Sequence, residues 1–375
     1  MEENKVPKPK EVQQKNSAEI VASSEDLLIE ILLRLPIISL IRFESVSKHW
    51  QSLITNPRFC HLRTRTIGLM FPEGGRVYEH VPFFDNAFEY HKYTVSKTIL
   101  HSCNGLLLCR SICGPRRDVK YYVCNPTTNQ ISLVPQHGIR DSLIRGGSLA
   151  FDPAMSSHYK IVFALNIGNE LLQFFIYSSE TGAWGVHGNP FTSSGATFDE
   201  GVYWNGALHW MNRKRALYFK IEDQVLDEMP KVPFSNDVHW SDEYYFGESC
   251  DHLHFVETRD TQIQLKVYEM KRDYSEWFVK YQVDLSPVVS SYPEIIGHTY
   301  PIMGLICYDF SLFGIVSGGK EEESFLVLQI PKKVVRFNLV NKTFKNLYKF
   351  RGDFTCRLKY PGNAGFKYIE SLCRV

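Results

Sequence analysis

The chain is 375 residues long, enough for two or three domains or for a small module joined to one large one. Its composition, 44% hydrophobic, 14% aromatic and 22% charged, excludes a chain that is disordered throughout. Forty-two Lys and Arg balance 41 Asp and Glu to a formal charge of +1, so no global field draws the protein to nucleic acid or to an anionic membrane.

Residues 1–19 mix Lys5, Lys8, Lys10 and Lys15 with Glu2, Glu3, Glu11 and Glu19 around Pro7 and Pro9, a composition that predicts a disordered lead. No apolar h-region follows the first Met, and nine cysteines are scattered without a CxxC pair, which points to a reducing compartment, cytoplasm or nucleus. Ser23-Ser24-Glu25-Asp26 reads as a helix start, with a hydroxyl cap and acidic residues in the first turn. Leu27, Leu28, Ile31, Leu32 and Leu35 then recur at helical period until Pro36. A second helical pattern takes in Leu40, Ile41, Phe43 and Val46, and a third Trp50, Leu53 and Ile54, before Asn56-Pro57. Three short helices cannot hide this much apolar surface on themselves, so the excess packs on the rest of the chain or on a partner.

From Thr66 onward the helical period gives way to short runs of Val, Ile, Phe, Tyr and Trp between Gly, Asn, Asp and Pro turns, an all-β pattern. Pairs of apolar residues seven positions apart recur: Cys124 and Ile131, Tyr177 and Trp184, Phe219 and Leu226, Phe337 and Phe344, with Tyr268 and Trp277 as a looser copy. The steps between their first members are 53, 42, 49 and 69 residues, near the roughly 40 to 50 of a four-stranded propeller blade except for the last. Asn104-Gly105 and Asn205-Gly206 are hairpin signals 101 residues apart, about two such units. Radial stacking would cover the open faces of these units, so a β-propeller of about six blades is preferred over a β-sandwich or two small barrels. The apolar stretch Tyr300 to Gly319, interrupted by Asp309 and four glycines, reads as two buried strands, 302–308 and 312–317, rather than a membrane span.

Chemistry-bearing motifs are sparse. His101, Cys103, Cys109 and Cys113 fit no familiar zinc spacing and read as buried structural residues; Cys250, His252 and His254 alternate along a strand as any half-buried strand does. No metal or cofactor is expected, and neither GxSxG, GxxxxGK[ST] nor GxGxxG occurs. Lys332, Lys333, Arg336, Lys342, Lys345 and Lys349, interleaved with Phe337 and Phe344, read as a solvated strand face rather than a nucleic-acid groove.

The run Glu25-Asp26-Leu27-Leu28-Ile29-Glu30-Ile31-Leu32-Leu33-Arg34-Leu35-Pro36, with Ser39-Leu40-Ile41-Arg42-Phe43, Val46-Ser47-Lys48-His49-Trp50, Leu53-Ile54 and Pro57-Arg58-Phe59, resembles an F-box. Ser23-Ser24 stands where that family usually begins Leu-Pro, a departure that bears on part of the adaptor contact. Ser102-Cys103-Asn104-Gly105-Leu106-Leu107-Leu108-Cys109, Asn125-Pro126-Thr127-Thr128, Phe151-Asp152-Pro153 and Trp204-Asn205-Gly206-Ala207-Leu208-His209-Trp210 look like marks of the kelch-like F-box-associated domain of plant F-box proteins. The resemblance implies an F-box over residues 20–65 and an F-box-associated β domain over 66–375. It implies a non-catalytic subunit of a Skp-cullin-F-box ubiquitin ligase, docked on a Skp-family adaptor, and through it on cullin, while recruiting a protein for ubiquitination. Leu27, Leu28, Ile31, Leu35, Pro36, Leu40, Val46 and Trp50 are assigned to the adaptor face, with Leu32, Phe43, Leu53 and Ile54 inside. A propeller lectin or enzyme carrying an F-box, and a non-degradative F-box scaffold, remain as alternatives.

Overall fold

The structure, a computed structural model, describes Val21 and residues 24–56, 59–60, 66–74, 77–83, 92–94, 97–114, 118–192, 198–199, 201–211, 216–233, 244–300, 304–318, 320–350 and 365–375. The lead segment 1–19 lies outside them. Three helices come first: α1 (Glu25–Leu33), α2 (Ile37–Phe43) and α3 (Lys48–Ile54). Ser24 is extended at the start of α1, but its side chain makes no capping bond, so the expected hydroxyl cap is absent there. Ser47 does cap α3, accepting from the Trp50 amide at 3.2 Å. Pro36 separates α1 from α2, and Val46, expected on the second helix, lies in the turn before α3.

The strands follow in an order that makes the repeat explicit. β1 (Thr66–Gly74), β2 (Val77–Pro82) and β3 (Lys92–Thr94) open the β region. β4 (Thr98–Cys103), β5 (Leu106–Cys113), β6 (Asp118–Asn125) and β7 (Gln130–Leu133) form the first complete four-stranded antiparallel blade. β8 (Ile144–Ala150), β9 (Lys160–Gly168), β10 (Leu171–Ser178) and β11 (Ala183–Thr192) form the second, and β12 (Val202–Trp204), β13 (Ala207–Met211), β14 (Ala216–Lys220) and β15 (Val225–Glu228) the third. The fourth comprises β16 (Tyr244–Ser249), β17 (His252–Glu257), β18 (Gln264–Met270) and β19 (Trp277–Asp284). After helix α4 (Ser286–Ser291) and the hairpin β20 (Ile296–Tyr300) and β21 (Leu305–Tyr308), a fifth blade is built from β22 (Ser311–Val316), β23 (Phe325–Ile330), β24 (Lys333–Asn338) and β25 (Phe344–Lys349). The last strand, β26 (Phe366–Ile369), pairs with β1, so the sixth blade runs β26-β1-β2-β3 and joins the two ends of the β region. The domain is a six-bladed β-propeller.

Every junction between neighbouring blades has its own apolar layer. Leu149, Phe151 and Phe163 join blade two to Leu106 and Val123 of blade one, and Phe174, Phe198 and Trp210 join blades two and three. Phe255 packs with Trp204 and Met211 between blades three and four, and Val256 with Ile315 and Leu326 between four and five. Phe83 meets Phe325 edge-on at 5.6 Å between five and six, while Met70 packs with Leu107 and Cys124 between six and one. Closure thus comes from six flat interfaces rather than one central core, as radial stacking of half-covered sheets requires.

The seven-residue pairs are explained by pairing register. Cys124 faces Ile131, Tyr177 faces Trp184, Phe219 faces Leu226 and Phe337 faces Phe344, each across the outermost hairpin of a blade. In blade four the facing pair is Met270 and Trp277, while Tyr268 faces Val279. The looser copy was a true seven-residue copy anchored two positions too early. The long final step is the insertion of α4 with the hairpin β20–β21 ahead of blade five. That insertion also corrects the reading of 300–319: β21 and β22 both exist, but β21 pairs with β20 and β22 with β23, and Leu305 and Ile306 are exposed. Among the described residues no helix is long and apolar enough to cross a membrane.

Candidate adaptor interface and the propeller motifs

The helical module turns its two faces to different environments. Leu28, Leu32, Leu40, Leu53, Ile54 and Phe59 are buried together. Leu27 and Ile31, four residues apart on α1 and therefore on one face, are 47% and 43% exposed, and Val46 is 62% exposed. Pro36 is exposed as well, and Leu35 and Trp50 are half-buried, Trp50 meeting Phe43 edge-on at 5.1 Å. Leu28 and Leu40 therefore correct the sequence assignment: each lies with Leu32 in the interior, where it cannot meet a partner. Periodicity missed this because the α1 stripe is five residues wide and only part of it fits beneath two short helices.

The motifs of the β domain carry structure. His101 is fully buried; its Nδ1 accepts from the Leu149 amide at 3.0 Å and its Nε2 donates to the Gly201 carbonyl, tying blade one to blades two and three. Burial lowers its pKa to about 4. Cys103 and Cys109 are buried nearby while Cys113 is exposed, and no cluster of three ligand-type side chains able to hold a metal occurs among the described residues. Cys250 sits in the turn before His252, both turn residues Cys250 and Asp251 having positive φ. His252 Nδ1 donates to Glu269 Oε1 at 2.9 Å, and His254 Nε2 and Lys280 Nζ lie 3.6 and 3.7 Å from Oε2. Burial pushes the Glu269 carboxyl up, but its bonds with the two histidines outweigh this and hold it well below the usual range.

Trp204 donates across to the Asp251 carbonyl at 2.8 Å, Trp210 stacks on Phe174 at 5.5 Å, and His209 binds the Val202 carbonyl at 3.1 Å and the Tyr274 hydroxyl at 2.9 Å. The basic stretch is tied down too: Lys333 pairs with Glu294 at 2.6 Å, and the Arg336 guanidinium lies 4.0 Å from the Phe325 ring centre. Phe337 is fully buried, as its place in the repeat requires. Down the middle of the ring a cavity of about 300 Å3 is lined by innermost strands, among them Tyr203, Tyr244, Phe246 and Lys367.

Against this geometry, residues 24–62 match the family model of the F-box domain, and residues 82–307 match the one described as F-box protein At3g26010-like, beta-propeller. The chain belongs to the F-box proteins that carry this propeller. F-box protein At5g07610 of Arabidopsis thaliana is 34% identical over 96% of this chain and 94% of its own length. F-box protein At5g49610 of the same plant is 24% identical over 91% and 95%. Among solved structures, TolB from Acinetobacter baumannii aligns over 78% of this chain and 65% of its own with 10% identity and a TM-score of 0.41, too remote to carry an argument. The propeller match of this F-box protein ends at residue 307, ahead of all four strands of blade five and of β26, the strand that closes blade six.

Proposed function

We propose that the chain is a non-catalytic substrate receptor of a Skp-cullin-F-box ubiquitin ligase, acting in cytoplasm or nucleus. In this reading the helical module over residues 20–65 docks on a Skp-family adaptor, and through it on cullin, while the propeller, read as the kelch-like F-box-associated domain, holds a protein substrate. The observation that carries it is the exposure of Leu27, Ile31 and Val46, three large apolar side chains, on a module matched by the F-box family and joined to a propeller that can present loops. Pro36, exposed, and Leu35 and Trp50, half-buried, complete the proposed face. The chain would act by raising the effective concentration of a substrate lysine near a ubiquitin-charged enzyme.

Ile31→Asp is the discriminating variant, because Ile31 is exposed and its replacement spares the buried set of Leu28, Leu32 and Leu40. A charge desolvated in an apolar interface costs a few kcal/mol, so adaptor affinity should fall about a hundredfold with the melting transition unchanged. Undiminished co-purification of the adaptor with Ile31→Asp would overturn the docking face.

A further inference from the structure

The chain does not end at the propeller. After β26, residues 370–375 leave blade six and run back along blade one to the helical module. Leu372, 4% exposed, lies inside the module's core with Leu32, Leu40, Leu53 and Phe59. Arg374 reaches Glu44, after α2, at 3.4 Å, and the Val375 amide donates to Gln130 Oε1 on β7 at 3.3 Å.

Asn125 holds this segment in place. Its Nδ2 donates to the Ser371 carbonyl at 2.9 Å and the Cys373 carbonyl at 2.7 Å, while its Oδ1 accepts from the amides of Thr127 and Thr128 in its own turn. Thr127 Oγ1 accepts from the Ser371 amide at 3.3 Å. The Asn-Gly turn of the same blade closes in from the other side: a Cβ on Gly105 would lie 2.3 Å from Ser371 Cβ.

Blade five contains an internal comparison. Asn338 follows Phe337 as Asn125 follows Cys124, and its Oδ1 likewise accepts from two amides of its turn, Val340 and Asn341. Its Nδ2 donates to the Glu322 carbonyl, within its own blade. The same side-chain hook that closes blade five internally is turned, in blade one, on the C-terminal segment.

We infer that residues 370–375 are a strut that completes the core of the F-box module and fixes the propeller's orientation on it, with Asn125 as its positioning residue. Under the receptor reading, on which its significance rests, the strut sets the distance and angle between a bound substrate and the adaptor.

Cys60 and Cys373 give a direct probe. Both line one cleft of about 570 Å3 between the helical module, the strut and blade two, Cys60 from the helical module and Cys373 from the strut. In the full chain, oxidation with copper-phenanthroline in air should join Cys60 to Cys373, read by peptide mapping. Asn125→Asp keeps the turn acceptor but removes both donors to the strut, and should slow this cross-link about tenfold or more. Asn338→Asp, the same change in blade five, should leave the rate at the wild-type value. Leu372→Ala should slow the cross-link and broaden the small-angle scattering distance distribution, and it carries the test if Asn125→Asp does not fold. Wild-type rates in both Asn125→Asp and Leu372→Ala, or equal slowing by Asn338→Asp, would overturn the strut. Failure of the wild-type chain to bind an adaptor would remove the receptor reading and leave the cross-linking result standing.

Discussion

His101 and His209 show how little of the propeller's histidine content is available for chemistry. Both are buried and neutral, each accepting one hydrogen bond and donating another, and burial lowers both to a pKa of about 4. An unfolded imidazole titrates near 6.5, so between about pH 6.5 and 4 the unfolded chain binds more protons than the folded one. The stability these groups contribute is complete above the unfolded value and is lost as the pH falls toward 4, to the extent of roughly 3 kcal/mol each. The melting temperature should drop between pH 7 and 5, and His101→Gln, though less stable at pH 7, should show a shallower drop. Parallel curves for the two proteins would show that His101 does not carry the effect. His252 works in the opposite direction: its bond with Glu269 raises its pKa, so its contribution fades as pH rises, and its half-exposed position keeps that small.

At the scale of elements, two turns of like sequence test how much context adds to conformation. Gly105 and Gly206 both follow an asparagine at positive φ and themselves have φ of 90° and 73°, in the left-handed range that favours glycine. Nothing lies within 4 Å of a Cβ added at Gly206, whereas at Gly105 it meets Ser371. Gly206→Ala should therefore cost only the strain of its φ, about 1 kcal/mol, and Gly105→Ala roughly 2 kcal/mol more, measured by denaturant unfolding. Equal losses would mean that the C-terminal segment yields freely. Local turn chemistry was legible in the sequence because Asn-Gly fixes it within two residues, and the outermost hairpins were legible because a facing pair seven apart repeats. What the sequence hid was relational. Leu28 and Leu40 carry the same apolar signal as Leu27 and Ile31, and only the packing of α2 and α3 decides which of them turn inward. Asn125 was recognisable as a motif residue, but its partners Ser371 and Cys373 are some 246 positions away, beyond any periodicity. Trp184 illustrates the same limit: it holds the register position that Trp277 holds in blade four, where the ring is buried, yet it is only half-buried, with its Nε1 donating to the Pro135 carbonyl at 2.9 Å.

For the molecule as a whole, the β region is closed by β26, which gives blade six its innermost strand and pairs Leu69 with Lys367 and Met70 with Phe366. A chain truncated after residue 364 loses that strand, leaves β1 with an unpaired edge and strips Leu372 from the helical module. Its melting should broaden and fall by well over 10 °C, and proteolysis should attack both the sixth blade and the helices. A truncated chain that melts as sharply as the complete one would mean that the end-to-end pairing contributes nothing to cooperativity. Because Leu372 belongs to the module that begins the fold, a fragment carrying the helices alone lacks part of its own interior. Adaptor-binding measurements therefore belong on the complete chain.

The position of Leu372 also orders events during synthesis. The helices leave the ribosome first, and blades one to five can assemble as they follow, since domains fold as their residues emerge. The helical core stays incomplete until Leu372 emerges, by which time β26, which precedes it, has supplied the ring's closing strand. The helices emerge ahead of the blades yet their core is finished after the ring is closed, so a chain interrupted between β25 and Leu372 carries an unfinished helical module.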